Sequence, residues 1–514
     1  MTAPATAPLS HRRILVVFSG LMAAMFLAAL DQTIVATALP TIAGELGDLE
    51  KLSWVVTAYL LTSTASTPLY GKLSDLYGRR PMYQVAIGVF LVGSVLAGVA
   101  QDMTQLIAFR AVQGVGAGGL ISLAMTVIGD IVSPRERGRY QGYVVIVFAV
   151  SSVVGPLAGG FFVDHLSWRW AFYVNVPVGL VAMAVTSWAL RIPFSRRFHA
   201  IDYVGAALLV AGVSCILLVT VWGGNEYPWR SATIVGLAAA GAALSALFVL
   251  QERRAPEPIL PLRLFRDRVF LVCSAGGFLT AMSFFATAIF MPLFLQVVAG
   301  HTPTASGLLV TPLVGGLLIS SVVTGRVITQ IGRYKVFPAA GTAIMTAGLL
   351  LCSQLEVGSS RMAASVAMGV AGVGIGMVFP VLILAVQNAV EFRDLGTATA
   401  AVTFFRSMGG AFGVALFGSV LNSRLAHHLT RLVPASAGLD IDTLSSSPAQ
   451  VRALPPGTRA GVVEAFSLSL GTVFVLAVPL AVAAFVAVLF LPELPLRDSV
   501  GGTTPLPDEA GPLA

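Results

Sequence analysis

The 514-residue chain is short of charge: 11% of its residues are Asp, Glu, Lys or Arg, against about 25% in an ordinary soluble domain. So few charges cannot cover a water-facing exterior, which excludes a soluble enzyme. Cysteine is scarce as well. Cys215, Cys273 and Cys352 lie far apart inside apolar runs, a pattern that argues against a disulfide framework or a thiolate metal site. No H-E-x-x-H motif occurs, and His427-His428 are adjacent, a spacing without metal-site logic. Gly114-Val115-Gly116-Ala117-Gly118-Gly119 matches the dinucleotide pattern but sits inside an apolar run with no preceding strand; Gly71-Lys72 lacks the hydroxyl residue and upstream glycine of a phosphate loop. ATP hydrolysis, a catalytic metal and a cofactor are therefore not expected. The net charge of +7 is spread between apolar segments rather than along one stripe, which points away from nucleic acid.

What the chain has in quantity is apolar sequence, 56% of its residues. Ile14 to Ala38 is too long for a signal-peptide core and lacks a small-x-small cleavage site, so it reads as an uncleaved first span. Further spans follow at about 54–71, 82–100, 105–128, 141–163, 170–190, 203–222, 231–250, 269–298, 305–325, 336–354, 362–388, 396–421 and 461–491, fourteen in all. An even number puts both termini on one side. The basic residues favour the side holding Arg12-Arg13, Lys72, Arg79, Arg80, Arg135, Arg137, Arg139, Arg191, Arg196, Arg197 and the 253–268 cluster. By the positive-inside rule both termini are cytoplasmic.

Gly71-Lys72-Leu73-Ser74-Asp75-Leu76-Tyr77-Gly78-Arg79-Arg80 recurs as Gly325-Arg326-Val327-Ile328-Thr329-Gln330-Ile331-Gly332-Arg333-Tyr334-Lys335, and the same offset carries Gly155 and Gly159 onto Gly409 and Gly413. Such internal symmetry is typical of transporter halves. The expected organisation is a tail (1–13), a six-helix bundle (14–190), a linker with two extra helices (191–268), a second six-helix bundle (269–491) and a tail (492–514). Loop 422–460 lies in the second bundle on the extracytoplasmic side, with room for a short amphipathic element, and the Pro, Ala, Gly and Thr-rich tails read as disordered.

Asp31 is the only carboxylate well inside a span. At 1.5 Å per residue it lies about 25 Å up the first helix, and Arg110, entering from the opposite side, reaches about the same depth. An embedded acid must be protonated, paired or wet, and marks a functional site by default. A low-dielectric setting raises its proton affinity and the guanidinium lowers it, so a change of geometry can load or release a proton; a fixed staple between helices is the weaker alternative. Arg406, inside the thirteenth span, has no acid at its depth. Backbone carbonyls, a cavity or an anionic substrate group all remain open for it, with Gln387 and Asn388 as candidate neighbours and Gln32 and Gln113 as further candidate cavity residues.

The ten-residue motif from Gly71 resembles the signature loop of the major facilitator superfamily. Leu30-Asp31-Gln32-Thr33-Ile34-Val35 with Ala38-Leu39-Pro40, Arg110-Ala111-Val112-Gln113-Gly114, Gly155-Pro156-Leu157-Ala158-Gly159-Gly160 and Trp168-Arg169-Trp170-Ala171-Phe172-Tyr173-Val174-Asn175-Val176-Pro177 are similar to motifs of its fourteen-helix drug:proton antiporter branch, the EmrB/QacA type. The resemblance implies an all-α integral membrane fold of two six-helix bundles plus two inserted helices. It implies proton coupling at Asp31 and Arg110, and a cytoplasmic gate around Gly71, Lys72, Asp75, Gly78, Arg79 and Arg80 with Asp130 as partner. It also implies an antiporter motif, Gly155, Pro156, Gly159 and Gly160, thought to lie between the halves and limit leak; Ser151 stands where the fuller pattern often has another glycine.

The expectation is a monomeric proton-coupled exporter in a bacterial inner membrane, needing only the proton gradient, the bilayer and a small amphipathic substrate. One embedded acid favours monovalent lipophilic cations or near-neutral drugs. The alternative is a dedicated exporter of one metabolite, antibiotic or lipid.

Overall fold

The computed structural model describes residues 11–46, 51–190, 202–224, 226–433, 451 and 454–497. The expectations for most of both tails, the basic segment 191–201 and the middle of loop 422–460 lie outside the described residues.

The helices are α1 (His11–Leu46), α2 (Leu52–Tyr77), α3 (Arg79–Gly98), α4 (Met103–Ile131), α5 (Pro134–His165), α6 (Trp170–Tyr173), α7 (Asn175–Ala189), α8 (Tyr203–Trp222), α9 (Ala232–Glu252), α10 (Arg268–Val297), α11 (Pro303–Ile331), α12 (Val336–Ser353), α13 (Arg361–Ala389), α14 (Leu395–Leu432) and α15 (Pro456–Leu489). With α6 and α7 as one broken crossing, the described residues form fourteen helical rods that run up and down. Among the described residues the only extended pairing is an isolated bridge between Gly223 and Tyr227. The start of α1 defines what is called here the near end, and the opposite side is the far end.

Side chains set the helix starts. Asp102, Asp202, Ser231, Asp267, Thr302 and Ser360 each accept a backbone N–H from the first turn of α4, α8, α9, α10, α11 and α13, satisfying donors that the helix leaves open. Both copies of the repeated motif turn on a glycine of positive φ: Gly78, between α2 and α3, has φ 96°, and Gly332, after α11, has φ 70°, values that L side chains avoid.

Thirteen of the rods are long and apolar enough to cross a membrane, and α2 falls below that composition. Its Ser and Thr residues lower the hydropathy, but their hydroxyls are spent inside the protein. Ser66 donates to Val115 O at 3.1 Å and Thr67 to Gly118 O at 3.2 Å. Side chains on Gly114 and Gly118 of α4 would overlap this face, so small residues let the two backbones meet as in other membrane helix pairs.

Helices α1–α7 pack on one another, as do α10–α15, and α8 of the inserted pair lies against both α2 and α14. At the far end Trp54 and Trp222 meet edge to face at 5.2 Å, and Trp229 Nε1 donates to Ser419 Oγ at 2.9 Å. At the near end the segment after α9 is folded by Glu252, which accepts from Ile259 N and Leu260 N. It then ties to both halves through Lys72–Glu257 and Arg263–Asp394, each at 2.8 Å.

Several helices outrun the sequence reading, among them α1, which ends at Leu46 rather than 38, and α5, which starts at Pro134 rather than 141. Helix α14 continues past 421 to Leu432, and α15 starts at Pro456 rather than 461. Leu421, Leu425 and Leu429 form an i, i+4 stripe packed with Val462, Ala465 and Phe466, so both helices outrun the bilayer and shorten the loop. After α15 the chain crosses the near end as a strap. Tyr334 Oη donates to Pro492 O and accepts from Leu494 N, with burial pushing its phenol up to about 12.

Candidate functional site

Asp31 of α1 and Arg110 of α4 meet at the depth expected from residue counting. Arg110 Nη1 donates to Asp31 Oδ2 at 2.6 Å, and the side chains are 0% and 1% exposed. Such closure demands that every polar atom be answered. Gln113 Nε2 and Asn175 Nδ2 both donate to Asp31 Oδ1, at 2.8 and 2.9 Å. Arg110 also donates to Gln113 Oε1 and to Val55 O, and its guanidinium lies 4.2 Å from the Tyr59 ring centre.

The break between α6 and α7 is what brings Asn175 here. Ser94 of α3 donates to Phe172 O at 2.9 Å, and Asn175 also donates to Ser94 Oγ. Asn175 was legible only as part of a motif; an amide two residues before Pro177 in an apolar span is the signal that marks it. Gln113, expected in a cavity, is instead a buried member of this cluster. Gln32 lies on the exposed face of α1 beside Tyr59.

The motif from Gly71 forms a second cluster at the near end, where the halves touch. Asp75 accepts from Thr397 N at 2.8 Å, Thr397 Oγ1 at 2.7 Å and Gly396 N at 3.2 Å. These groups open α14, whose own N-cap residue Asp394 makes no side-chain cap bond. Asp75 is thus an N-cap supplied from the other half, where a carboxylate also meets the positive helix end. Arg79 ion-pairs with Asp75, donates to Asp130 Oδ2 at 2.7 Å and reaches Ser74 Oγ. Gly71 allows the approach, since a side chain there would overlap Ala400. Lys72 turns to Glu257, and the exposed Arg80 joins none of these bonds.

Gln387 and Asn388 also belong to the near end and are not neighbours of Arg406. Gln387 Nε2 donates to Met125 O and Thr399 Oγ1, while its backbone carbonyl accepts from Arg137 Nη1 at 3.2 Å. Asn388 holds the strap through Pro495 O and Arg497 N. Helix counting placed them in the right span but at the wrong depth: both lie within two residues of the end of α13. Arg406 sits beside Phe379 instead, 5.3 Å from its ring centre.

The glycine motif of α5 faces α1, inside its own half. Side chains on Gly155 and Gly159 would press on Thr33, Ile34 and Thr37, and Thr33 Oγ1 donates to Ser151 O at 3.1 Å. Pro156 lies within the helix and Gly160 faces open space. The inter-half contact of α5 is made nearer its start, where Gly138 meets Gly325 and Gly142 meets Val322. Gly409 and Gly413 press on Phe278 and Met282 of α10, so the repeat holds in packing as well as in sequence.

The described residues include no His, Cys, Asp and Glu grouping able to hold a metal. The fold resembles that of the proton:xylose symporter XylE (TM-score 0.59, 14% identity, 94% of this chain and 97% of that one) and the human organic anion transporter MFSD10 (TM-score 0.60, 15% identity, 92% and 100%). In sequence the chain is 42% identical to an uncharacterized MFS-type transporter of Mycobacterium tuberculosis over 97% of this chain and 73% of that one. It is 38% identical to the multidrug transporter protein MdtP of Bacillus subtilis (88% and 84%) and 35% identical to multidrug resistance protein 3 of the same organism (92% and 94%). With its two packed repeats, its near-end motif and a family model matching residues 21–414, the chain belongs to the Major Facilitator Superfamily and is a membrane transporter of small molecules.

Proposed function

We propose that the chain is a proton-coupled antiporter that exports small amphipathic compounds by alternating access. In this reading it works as a monomer in a bacterial inner membrane, with the near end and both termini in the cytoplasm. The observation that carries it is the closed Asp31 cluster: a carboxylate sealed from solvent with three side-chain donors, one of them the paired Arg110 guanidinium. An ion pair kept at that depth is costly if it only staples helices.

Asp31 takes the proton and Arg110 sets how readily. A neutral Asp31 no longer neutralises Arg110, which changes the forces between α1 and α4. Because α1 is fitted to α5 through Gly155 and Gly159, and α5 meets α11 at Gly138, the change has a packed route to the seam between halves. The Asp75 cap and the Arg79–Asp130 pair serve as the cytoplasmic gate, closed in the state described here. Inward proton movement supplies about 2.3 kcal/mol per charge per 100 mV. The names of the Bacillus subtilis relatives support a multidrug range.

The test is exchange in proteoliposomes with an imposed pH gradient. Asp31→Asn is expected to lose gradient-driven export while keeping substrate counterflow without a gradient. Full gradient-driven export by Asp31→Asn overturns the assignment.

A further inference from the structure

Arg406 is the intramembrane cation that the proton-coupling cluster leaves out. It lies eleven residues beyond Leu395, the start of α14, which is about 17 Å from the near end and close to the middle of a ~30 Å hydrocarbon core. Among the described residues it has no hydrogen bond and no ion pair, and its guanidinium lies over the Phe379 ring. The side chain is half-buried. A lipid-facing guanidinium at mid-depth is untenable, so the side chain turns toward the protein interior.

The surroundings are aromatic. Phe379 of α13 meets Phe284 of α10 at 6.2 Å, Phe284 meets Phe285 at 5.3 Å, and Gly410, one turn beyond Arg406, leaves room for the Phe285 ring. Two helices of the second half, α10 and α13, therefore set flat apolar surfaces beside the unanswered guanidinium of α14. Asp31 cannot answer a cationic ligand in return, since its two oxygens already take three side-chain donors. With Asp31 ionised and Arg110 charged, that cluster is neutral and Arg406 leaves the interior at +1; protonation of Asp31 raises it further.

We infer that Arg406 and its phenylalanine row bind the acidic group of an aromatic organic anion, a carboxylate or sulfonate on a planar apolar body. This rests on the transport reading above, names its substrate class, and replaces the expectation of lipophilic cations. The guanidinium fork pairs with such a group in bidentate fashion, and the rings take the aromatic body. A phospholipid phosphate sits at the bilayer surface, about 15 Å from this depth, so the occupant is a free amphiphile. The anion at Arg406 and the proton at Asp31 occupy different halves, so coupling between them runs through helix movement rather than competition for one atom.

The test is equilibrium binding to purified protein in phosphatidylcholine nanodiscs without any gradient, which leaves the proton-coupling assignment unprobed. Three probes of one shape are compared: 2-naphthoate, 2-naphthamide and 2-naphthylmethylammonium. Wild type is expected to bind them in that order, with the anion at least tenfold tighter than the cation. Arg406→Gln is expected to remove the anion preference while the amide changes less than twofold, and Arg406→Lys to keep a preference for the anion. Phe379→Leu is expected to weaken all three together. The inference fails if wild type binds the cation as tightly as the anion or binds none of the three, or if a folded Arg406→Gln keeps the anion preference. Should Arg406→Gln not fold, loss of the preference in Arg406→Lys overturns it instead.

Discussion

Asp75, at the end of α2, caps the first turn of α14 across the boundary between the two halves, accepting Thr397 N at 2.8 Å and Thr397 Oγ1 at 2.7 Å. Charge-assisted bonds at a helix start contribute about 1–2 kcal/mol, so Asp75→Asn is expected to raise the population with an open near end roughly tenfold. Spin labels at Glu136→Cys and Arg333→Cys, in a chain with its native cysteines replaced, report that population as a longer distance component. An unchanged distance distribution refutes the assignment of Asp75 to the gate.

The Asp31–Arg110 pair predicts a non-additive stability cycle. Arg110→Gln leaves a buried carboxylate without its cation, which costs about 3–5 kcal/mol. Asp31→Asn combined with Arg110→Gln removes both charges and is expected to recover most of that loss. Thermal unfolding of the three variants in detergent measures the coupling, and simple additivity contradicts it.

Gly155 and Gly160 share one motif but not one environment. A methyl at Gly155 would overlap the Thr33 hydroxyl, whereas one at Gly160 meets nothing within 4 Å. Gly155→Ala is expected to lose about 1–3 kcal/mol by overpacking. Gly160→Ala is expected to be neutral or to gain up to ~1 kcal/mol from helix propensity. Melting temperatures of the two variants decide it; equal effects contradict the packing.

Gln141 of α5 is 1% exposed, and both its amide atoms lack a partner, beside Ser321 Oγ in the same condition. They line the seam with Gly138, Thr324 and Gly325. Closing the near end thus strands polar groups that opening would hydrate, at about 1–3 kcal/mol for such a group. Gln141→Leu is expected to stabilise the closed state and slow turnover several-fold, read as a higher melting temperature and a lower exchange rate. A lower melting temperature disproves this.

Sequence alone carried the helices, the repeat and the depth of Asp31 and Arg110, because apolar runs, a ten-residue motif and 1.5 Å per residue are one-dimensional quantities. It did not carry what depends on which helix faces which. Gln387 and Asn388 share a span with Phe379 yet lie at its near end, and only the packing separates them. Asn175 reaches Asp31 because the chain breaks after Tyr173, a bend that no hydrophobic period announces. The extension of α14 was readable in retrospect: Leu421, Leu425 and Leu429 keep helical spacing where mean hydropathy falls.

Helix α14 spans 38 residues without a proline, about 57 Å of continuous rod at 1.5 Å per residue. Its first turn is held by Asp75, its first third carries Arg406, and its last turns stand clear of the far face beside the start of α15. A tilt released at one end must sweep the other, so the helix is a lever with its handle outside the bilayer. An antibody fragment clasping the far extension around Arg424 and Arg431 has purchase on a bolt more than 40 Å away, estimated from the same rise per residue.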